Sequence, residues 1–443
     1  MSELDRTERE EKHLAEVREL YEKAARARLD WRKHLRRARR DQNAIVGDAQ
    51  NVRLALDHAP ELKNLVRLNE LSRRIEVTRA PPWRSLVRGR TWSDDDDIEF
   101  ACWLQDWDVP VRLDASIPRI VHAHAAAHPM HPVREWLDAL PAWDGEPRIV
   151  EVLIEVLCAY GEAEYLAGVL RRFMISAVAR ALHPGCKADH MIVLVGSQGI
   201  QKSSFALQLG APWAVESNST FGTKDAIAEL DGAWIVEVGE LAGLRRSEIE
   251  TIKHFVSRQV DRYRPAYGRA VIDQPRACVF IGTTNEQNFL LDYSGNRRFW
   301  PVRCAGRLNL SLLRSEREAL WAEALSAYRS GEQWYLTDAE EKLAATVQES
   351  HRVVSEVEQD VDAQLQRIIA ESWRRDKTTT VREIYQAIAG DRERENLSAR
   401  RQMETAIGQA IRKCGWIYVG RVGAERRSTY RAPIQGGDNL TTE

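Results

Sequence analysis

The sequence predicts an α/β protein. A parallel sheet is built on a phosphate-binding loop, a helical and mixed α/β region precedes it, and a winged helix follows. Three observations predict this. The first is the stretch MIVLVGSQGIQKSS at 191–204. Five apolar residues with no polar face suit a strand buried on both sides of a parallel sheet, and a glycine-bearing loop then opens a helix at Lys202-Ser203-Ser204. The second is a pair of further apolar runs, 234–241 and 278–282, each closing on acidic or polar residues. Open parallel sheets place ligand-binding groups at such carboxyl ends. The third is a C-terminal segment with three helical patterns and then two strand-like runs around a glycine-containing turn.

Bulk properties set the bounds. A chain of 443 residues holds about two to four domains. Net charge is −2, so charge placement, not total charge, must carry any argument for a nucleic-acid partner. None of the six cysteines lies in a C-x-x-C, which excludes a zinc ribbon and a thioredoxin-like motif. The N-terminus, MSELDRTEREE, has no apolar core, and no apolar run approaches twenty residues. No membrane partner is expected, and the expected location is a reducing cytoplasm.

Residues 1–45 carry Leu14, Val17, Tyr21, Ala24, Arg28, Trp31 and Leu35 at alternating three- and four-residue spacing, the largely apolar seam of a charged helix, with Arg28 inside it. Its second half is basic, and docking on its own domain is the favoured reading. Residues 46–145 form a small mixed α/β domain. Asp94 to Asp97 are four consecutive carboxylates. They are read as the acidic first turn of a helix, with metal-assisted nucleotidyl transfer as the alternative. His122, His124, His128 and His131 match no common zinc-ligand spacing, and His131-Pro132 reads as a helix start.

Residues 146–335 hold the chemistry. After a helical lead-in over 149–182, the loop Gly196, Ser197, Gln198, Gly199, Ile200 and Gln201 and the helix start Lys202, Ser203 and Ser204 are laid out as a nucleotide-binding P-loop. Backbone N–H groups point at phosphate there. Lys202 would reach the outer phosphates, and the Ser203 hydroxyl would ligate magnesium. Gln201 stands where glycine is usual, a position at which the backbone is expected to lie against phosphate with no room for a Cβ.

On the next apolar strand, Glu237 and Glu240 compete to hold the magnesium and polarise the attacking water. Glu240 is preferred, being nearer the carboxyl end, with Glu237 as helper or as the partner of a buried base. In 260–269, Arg262, Arg264 and Arg269 interleave with Tyr263 and Tyr267, a pattern that suits a hairpin gripping single-stranded DNA. Asn285, at the end of the third strand, is placed to orient water against a γ-phosphate. Arg297 and Arg298 precede a further apolar run and read as candidate arginine fingers, which often come from a neighbouring subunit.

Residues 336–360 are read as a helical connector. Residues 361–434 carry fifteen basic against nine acidic side chains. Helical patterns over 361–373, 381–388 and 398–414, then a hairpin, resemble a winged helix, whose third helix enters the major groove. Arg400, Arg401 and Arg412 flank the apolar face of that helix and are the expected duplex contacts. Residues 435–443 are expected to be a disordered tail.

The segments HPVREWLDALPAWDGEPRI (131–149), HPGCKADHMIVLVGSQGIQKSS (183–204), GAWIVEVGEL (232–241), VDRYRPAYGR (260–269) and GTTNEQNFLLDYSGNRRFWPV (282–302) together resemble the virulence-associated protein E family. That family is related to the superfamily-three helicases of phage- and poxvirus-type primase–helicases, within the AAA+ class. The resemblance implies an ATPase using ATP and Mg2+, assembled as a homo-oligomeric, hexameric ring around DNA, with nucleotide between subunits and Arg297 or Arg298 acting in trans. It implies a DNA-dependent NTPase or helicase that serves replication of a phage, prophage or satellite element. The alternative is a nucleotide-gated DNA-binding initiation or regulatory factor in which Gln201 has blunted hydrolysis.

Overall fold

The computed structural model describes residues 31–41, 43–84, 89–114, 116–217, 219–241, 245–264, 271–290, 295–353, 356–371, 377–389, 397–422 and 427–433. Two compact units emerge, residues 1–287 with 293–350 and residues 288–292 with 351–443.

In the first unit the basic stretch after Trp31 is not the continuing helix that the sequence predicts. A single 3-10 turn, Trp31–His34, gives way to chain that bridges Arg37 to Ile45. Buried Asn51 explains this: its side chain accepts from Arg36 N (2.7 Å) and donates to Arg36 O (2.8 Å) and Val46 O (2.7 Å). It satisfies backbone groups that a helix would otherwise pair. Trp31 and Leu35 enter the local core; the rest of the expected seam lies outside the described residues.

Helix Ala49–His58 and strands β1 (Val66–Asn69), β2 (Ile75–Val77) and β3 (Arg90–Thr91) follow. Then come helices Asp94–Asp106 and Ser116–Ala126, β4 (Pro129–Met130) and helix Pro132–Asp138. The sheet order is β3-β2-β1-β4. Asp94 to Asp97 form the first helical turn. Asp96 accepts from Ser93 N (2.9 Å) and pairs with Arg90, so it is tied up in a cap. His131 caps the next helix, its Nδ1 accepting from Arg134 N at 3.2 Å. Among the described residues no cluster of three His, Cys, Asp or Glu is placed to hold a metal.

The helical lead-in is two helices, Ile149–Leu157 and Ala163–Leu182. Cys158 takes a left-handed conformation (φ 46°) that ends the first. The short strand β5 (Ala159–Tyr160) is paired antiparallel to β12 (Phe299–Cys304). The large sheet also contains β6 (Met191–Val195), β7 (Ala214–Ser217), β8 (Ile235–Val238) and β11 (Val279–Thr284). Its order is β5-β12-β6-β11-β8-β7, and every pairing except β5–β12 is parallel. β6 is buried at all five residues, as its unbroken apolar run requires. Behind the sheet Trp234 and Trp321 pack with ring centroids 4.3 Å apart, both solvent-free, and Trp234 Nε1 donates to Ala177 O at 2.8 Å.

Strands β9 (Val260–Tyr263) and β10 (Ile272–Pro275) pair antiparallel as a separate hairpin. Helix Asp338–Ser350 is part of this unit and not a connector. Leu336 and Ala344 belong to the main core, and Gln348 Nε2 donates to Phe299 O at 2.9 Å.

The second unit runs helix Glu356–Ala370, β13 (Thr378–Thr380), helices Val381–Ala389 and Leu397–Lys413, then β14 (Ile417–Val422) and β15 (Arg427–Arg431). Its sheet order is β13-β15-β14, over a core that includes Val361, Leu365, Ile384, Ile407, Ile411, Trp416 and Tyr430. Among the described residues no helix is long and apolar enough to cross a membrane.

Candidate functional site

The site forms where β6, β8 and β11 end together. β11 lies between the other two, with Thr284 opposite Val195 and Gly282 opposite Val238. The chain leaves β6 through loop 196–201 and enters helix Lys202–Gly210. Gly196 is required sterically. A Cβ there would lie 2.7 Å from Cys304 O and 2.8 Å from Ile200 Cδ1, closer than atoms can pack.

Gln201 sits at the helix N-cap with φ 76° and ψ 32°. Glycine is favoured here for its backbone conformation, and Gln201 adopts that left-handed conformation at a cost of roughly 1–2 kcal/mol. Its Oε1 accepts from Arg307 Nε at 3.1 Å. The loop therefore keeps its shape despite the substitution.

Lys202 is buried. Its Nζ donates to Gly196 O (2.7 Å), Ser197 O (2.8 Å) and Asn285 Oδ1 (2.9 Å). Burial pulls its pKa below the usual lysine value, against the opposing pull of Cys304 and Glu237. Glu237, on β8, is buried and accepts on Oε1 from both Ser203 Oγ (2.9 Å) and Thr283 Oγ1 (2.7 Å). Glu240 stands beyond the strand in a left-handed conformation (φ 54°), exposed. The sequence preferred Glu240 as the partner of Ser203 in holding magnesium; the carboxylate that touches Ser203 is Glu237. Strand geometry is the reason. Glu237 lies opposite Ile281 in the register, within reach of the helix start, while the backbone has turned away by residue 240.

These groups line one cleft of about 560 Å³, together with Gln198, Gly199, Ser204, Glu216, Ser217, Gly239 and Thr284. The arrangement offers a helix N-terminus, an ammonium, a hydroxyl and a buried carboxylate on one side. Glu240 and Asn285 complete the lining. Phosphate suits the first two. A hydroxyl and a carboxylate suit a hard divalent cation with oxygen ligands. Sequence reasoning missed Thr283 and Arg307. Thr283 was signalled by a hydroxyl closing an apolar strand, and Arg307 by nothing.

The paired arginines stand elsewhere. Arg297 and Arg298 form a 3-10 turn just before β12, and Phe299 lies opposite Met191, the first residue of β6. The loop 196–201 follows the last. Five residues of strand separate the two ends by roughly 16 Å, so the pair does not join the cleft of its own chain. Arg297 Nη2 donates to Asp189 Oδ2 at 3.0 Å and is more than half exposed. Arg298 is half-buried, and its Nε donates to Ser257 Oγ at 2.5 Å.

On the β9–β10 hairpin, Arg262 faces Asp273 at 3.6 Å, and both are exposed. Arg264 is exposed. Tyr263 is buried and donates to Asp231 (3.1 Å), so it is a packing residue and not a stacking platform. Burial and Asp231 push its hydroxyl up to about 12. Tyr267 and Arg269 lie outside the described residues. In the second unit Arg400, Arg401 and Arg412 are exposed on the long helix. Arg400 Nε donates to Glu404 Oε1 (3.1 Å), and Arg412 Nε to Tyr430 Oη (3.4 Å).

Residues 137–353, which contain the whole large sheet, match the family model of the virulence-associated protein E-like domain. No curated protein matches the chain. Among solved structures the chain is similar to the apo C-terminal region of NrS-1 (its residues 305–718), at 14% identity over 67% of this chain and 77% of that one, TM-score 0.41. The A form of the NrS-1 C-terminal region aligns at 12% identity over 83% and 96%, TM-score 0.45.

Proposed function

We propose that the chain is an ATP-hydrolysing DNA motor of the superfamily-three, AAA+ kind, acting in replication of a phage, prophage or satellite element. The observation that carries this is the convergence of Lys202, Ser203, Glu237, Glu240 and Asn285 on one cleft at the start of helix Lys202–Gly210. The virulence-associated protein E-like match over the same residues supports it. So does the strand order, with the loop-bearing β6 between β12 and β11 and then β8 and β7, the arrangement expected of an AAA+ sheet.

In this reading Lys202 releases its loop carbonyls and binds the outer phosphates of ATP. Ser203 and Glu237 would hold Mg2+, which when bound would supply positive charge beside the phosphates. Glu240, exposed at the rim, accepts the proton of the attacking water, and Asn285 orients that water. Arg297, the more exposed arginine, serves the cleft of a neighbouring subunit in a hexameric ring. Arg262, Arg264, Tyr267 and Arg269 touch single-stranded DNA in the channel. The order helix–strand–helix–helix–hairpin in the second unit suits a winged helix, with Arg400, Arg401 and Arg412 on duplex phosphates.

The test is ATP turnover with and without single-stranded DNA across a salt series. Stimulation should fall steeply with salt, as backbone contacts require. Lys202→Ala should abolish turnover, and a variant that still turns over normally would refute the site.

A further inference from the structure

A second cleft, of about 460 Å³, opens at the other end of the large sheet. It is built from three distant stretches: the residues entering β6, the turn before β12, and the segment into helix Asp338–Ser350. Its size falls in the range of small-molecule sites, roughly 300–1,000 Å³. None of its lining is shared with the cleft around Lys202.

Its walls are aromatic and already fixed. Trp334 Nε1 donates to Lys187 O at 2.7 Å, which sets the indole without any ligand. Tyr335 stands nearly perpendicular to it (81°) and is exposed. Planar rings of this kind stack on any nucleobase. Deeper in, His190 stacks on Trp300 with centroids 3.8 Å apart. His190 is 5% exposed, and its Nε2 has no hydrogen-bond partner. Buried polar atoms are ordinarily paired. Burial also holds the imidazole neutral, its pKa lowered to about 3. Gln348 spends its amide N–H on Phe299 O and leaves its carbonyl oxygen as an acceptor. At the mouth stands the exposed Lys187, while Arg297 is held by Asp189 (3.0 Å) and Glu341 also enters the lining.

Stacking faces, neutral edge-reading groups and the Lys187 ammonium at the mouth form chemistry that holds a heterocyclic base with a phosphate attached. We infer that this cleft is a second ligand site, separate from the Lys202 cleft, which takes a nucleobase bearing a phosphate. Two sources carry that chemistry, a free mononucleotide and a base in single-stranded DNA.

The test is calorimetric titration of the full chain carrying Lys202→Ala, which disables the first cleft. The probes are AMP, which lacks the outer phosphates that Lys202 would bind, and single-stranded tetradeoxyadenylate. One equivalent of probe should bind per chain. Lys187→Ala and Tyr335→Ala, both at exposed positions that leave the core intact, should each weaken binding at least tenfold. Tighter binding of AMP identifies the free nucleotide as the source, and tighter binding of the oligonucleotide identifies the strand. Absence of binding by both probes, or binding unmoved by Lys187→Ala and Tyr335→Ala, overturns the site. Because the titration does not require turnover, its failure is distinct from a failure of the ATPase reading.

Discussion

Replacing Glu237 by glutamine separates the roles of the two glutamates. The substitution keeps the shape and an acceptor for Ser203 Oγ and Thr283 Oγ1, now 2.9 and 2.7 Å from Oε1. It removes the charge. Hydrogen bonds to a charged acceptor contribute about 1.5–3 kcal/mol against about 0.5–1.5 for neutral ones. Two such bonds weakened therefore cost at most about 3 kcal/mol, and the lower desolvation cost of a buried amide offsets part of that. The ligand-free protein should fold with a stability change within about 2 kcal/mol of zero.

The effect on metal binding is larger. If the cleft binds Mg·ATP as proposed, nucleotide a hundredfold above Kd should stabilise the folded protein by about 2.7 kcal/mol. A tenfold loss of affinity reduces this to about 1.4 kcal/mol. Turnover should fall by about 10²–10³, the equivalent of about 3–4 kcal/mol of lost charge stabilisation. Thermal unfolding with and without Mg·ATP, beside steady-state phosphate release, reads both. Glu240→Gln should behave differently, keeping the magnesium-dependent thermal shift and losing turnover. If Glu237→Gln keeps wild-type shift and rate while Glu240→Gln loses the shift, the assignment is refuted and the metal role passes to Glu240.

Gln201→Gly should raise stability by up to about 1 kcal/mol, because glycine takes a positive φ without strain. Nucleotide affinity should stay within a factor of three, and a large rise in turnover would instead support a chain with blunted hydrolysis. Arg297→Ala should bind ATP normally yet fail to hydrolyse it, and mixing it with the equally inactive Lys202→Ala chains should restore turnover, because each supplies what its neighbour lacks. Mixtures of the two that stay inactive would sink the in-trans role. Acid sensitivity has a specific source in His131, whose pKa is lowered to about 4 by burial and by Arg134. The unfolded chain takes up that proton near pH 6.5 and the folded chain near 4. The full stability is thus present above 6.5 and lost as pH falls toward 4, by about 2 kcal/mol at pH 5. His131→Asn, which keeps a capping side chain, should shrink the difference in unfolding free energy between pH 7 and pH 5 by about that amount.

Much of the sheet was legible because buried parallel strands announce themselves as unbroken apolar runs. Residues 191–195 were marked this way, as were 235–238 and 279–282. Helix boundaries in the C-terminal unit fell within a residue for two of the three helices at their starts, since each carries a clear apolar face. Which of Glu237 and Glu240 contacts Ser203 was not legible. It depends on which residue of β8 lies across from β11 and where the strand stops, and register is a tertiary quantity. The non-helical path after Trp31 was hidden for a related reason: a single buried amide, Asn51, overrides a helix-favouring composition. The 460 Å³ cleft was invisible, because it joins residues near 190, 297 and 335–348 that no short pattern connects.

The geometry of the sheet also bears on assembly. Arg297 and Lys202 belong to neighbouring parallel strands, β12 and β6, but one precedes its strand and the other follows. An arginine side chain spans less than half of the roughly 16 Å that five strand residues impose. For Arg297 to stabilise phosphoryl charge at a Lys202, that cleft must then belong to another copy of the chain. Under this reading ATP hydrolysis requires assembly, so specific activity should rise with protein concentration until the ring is complete. A specific activity independent of concentration, in protein shown to be monomeric, would break the link between the arginine turn and the cleft.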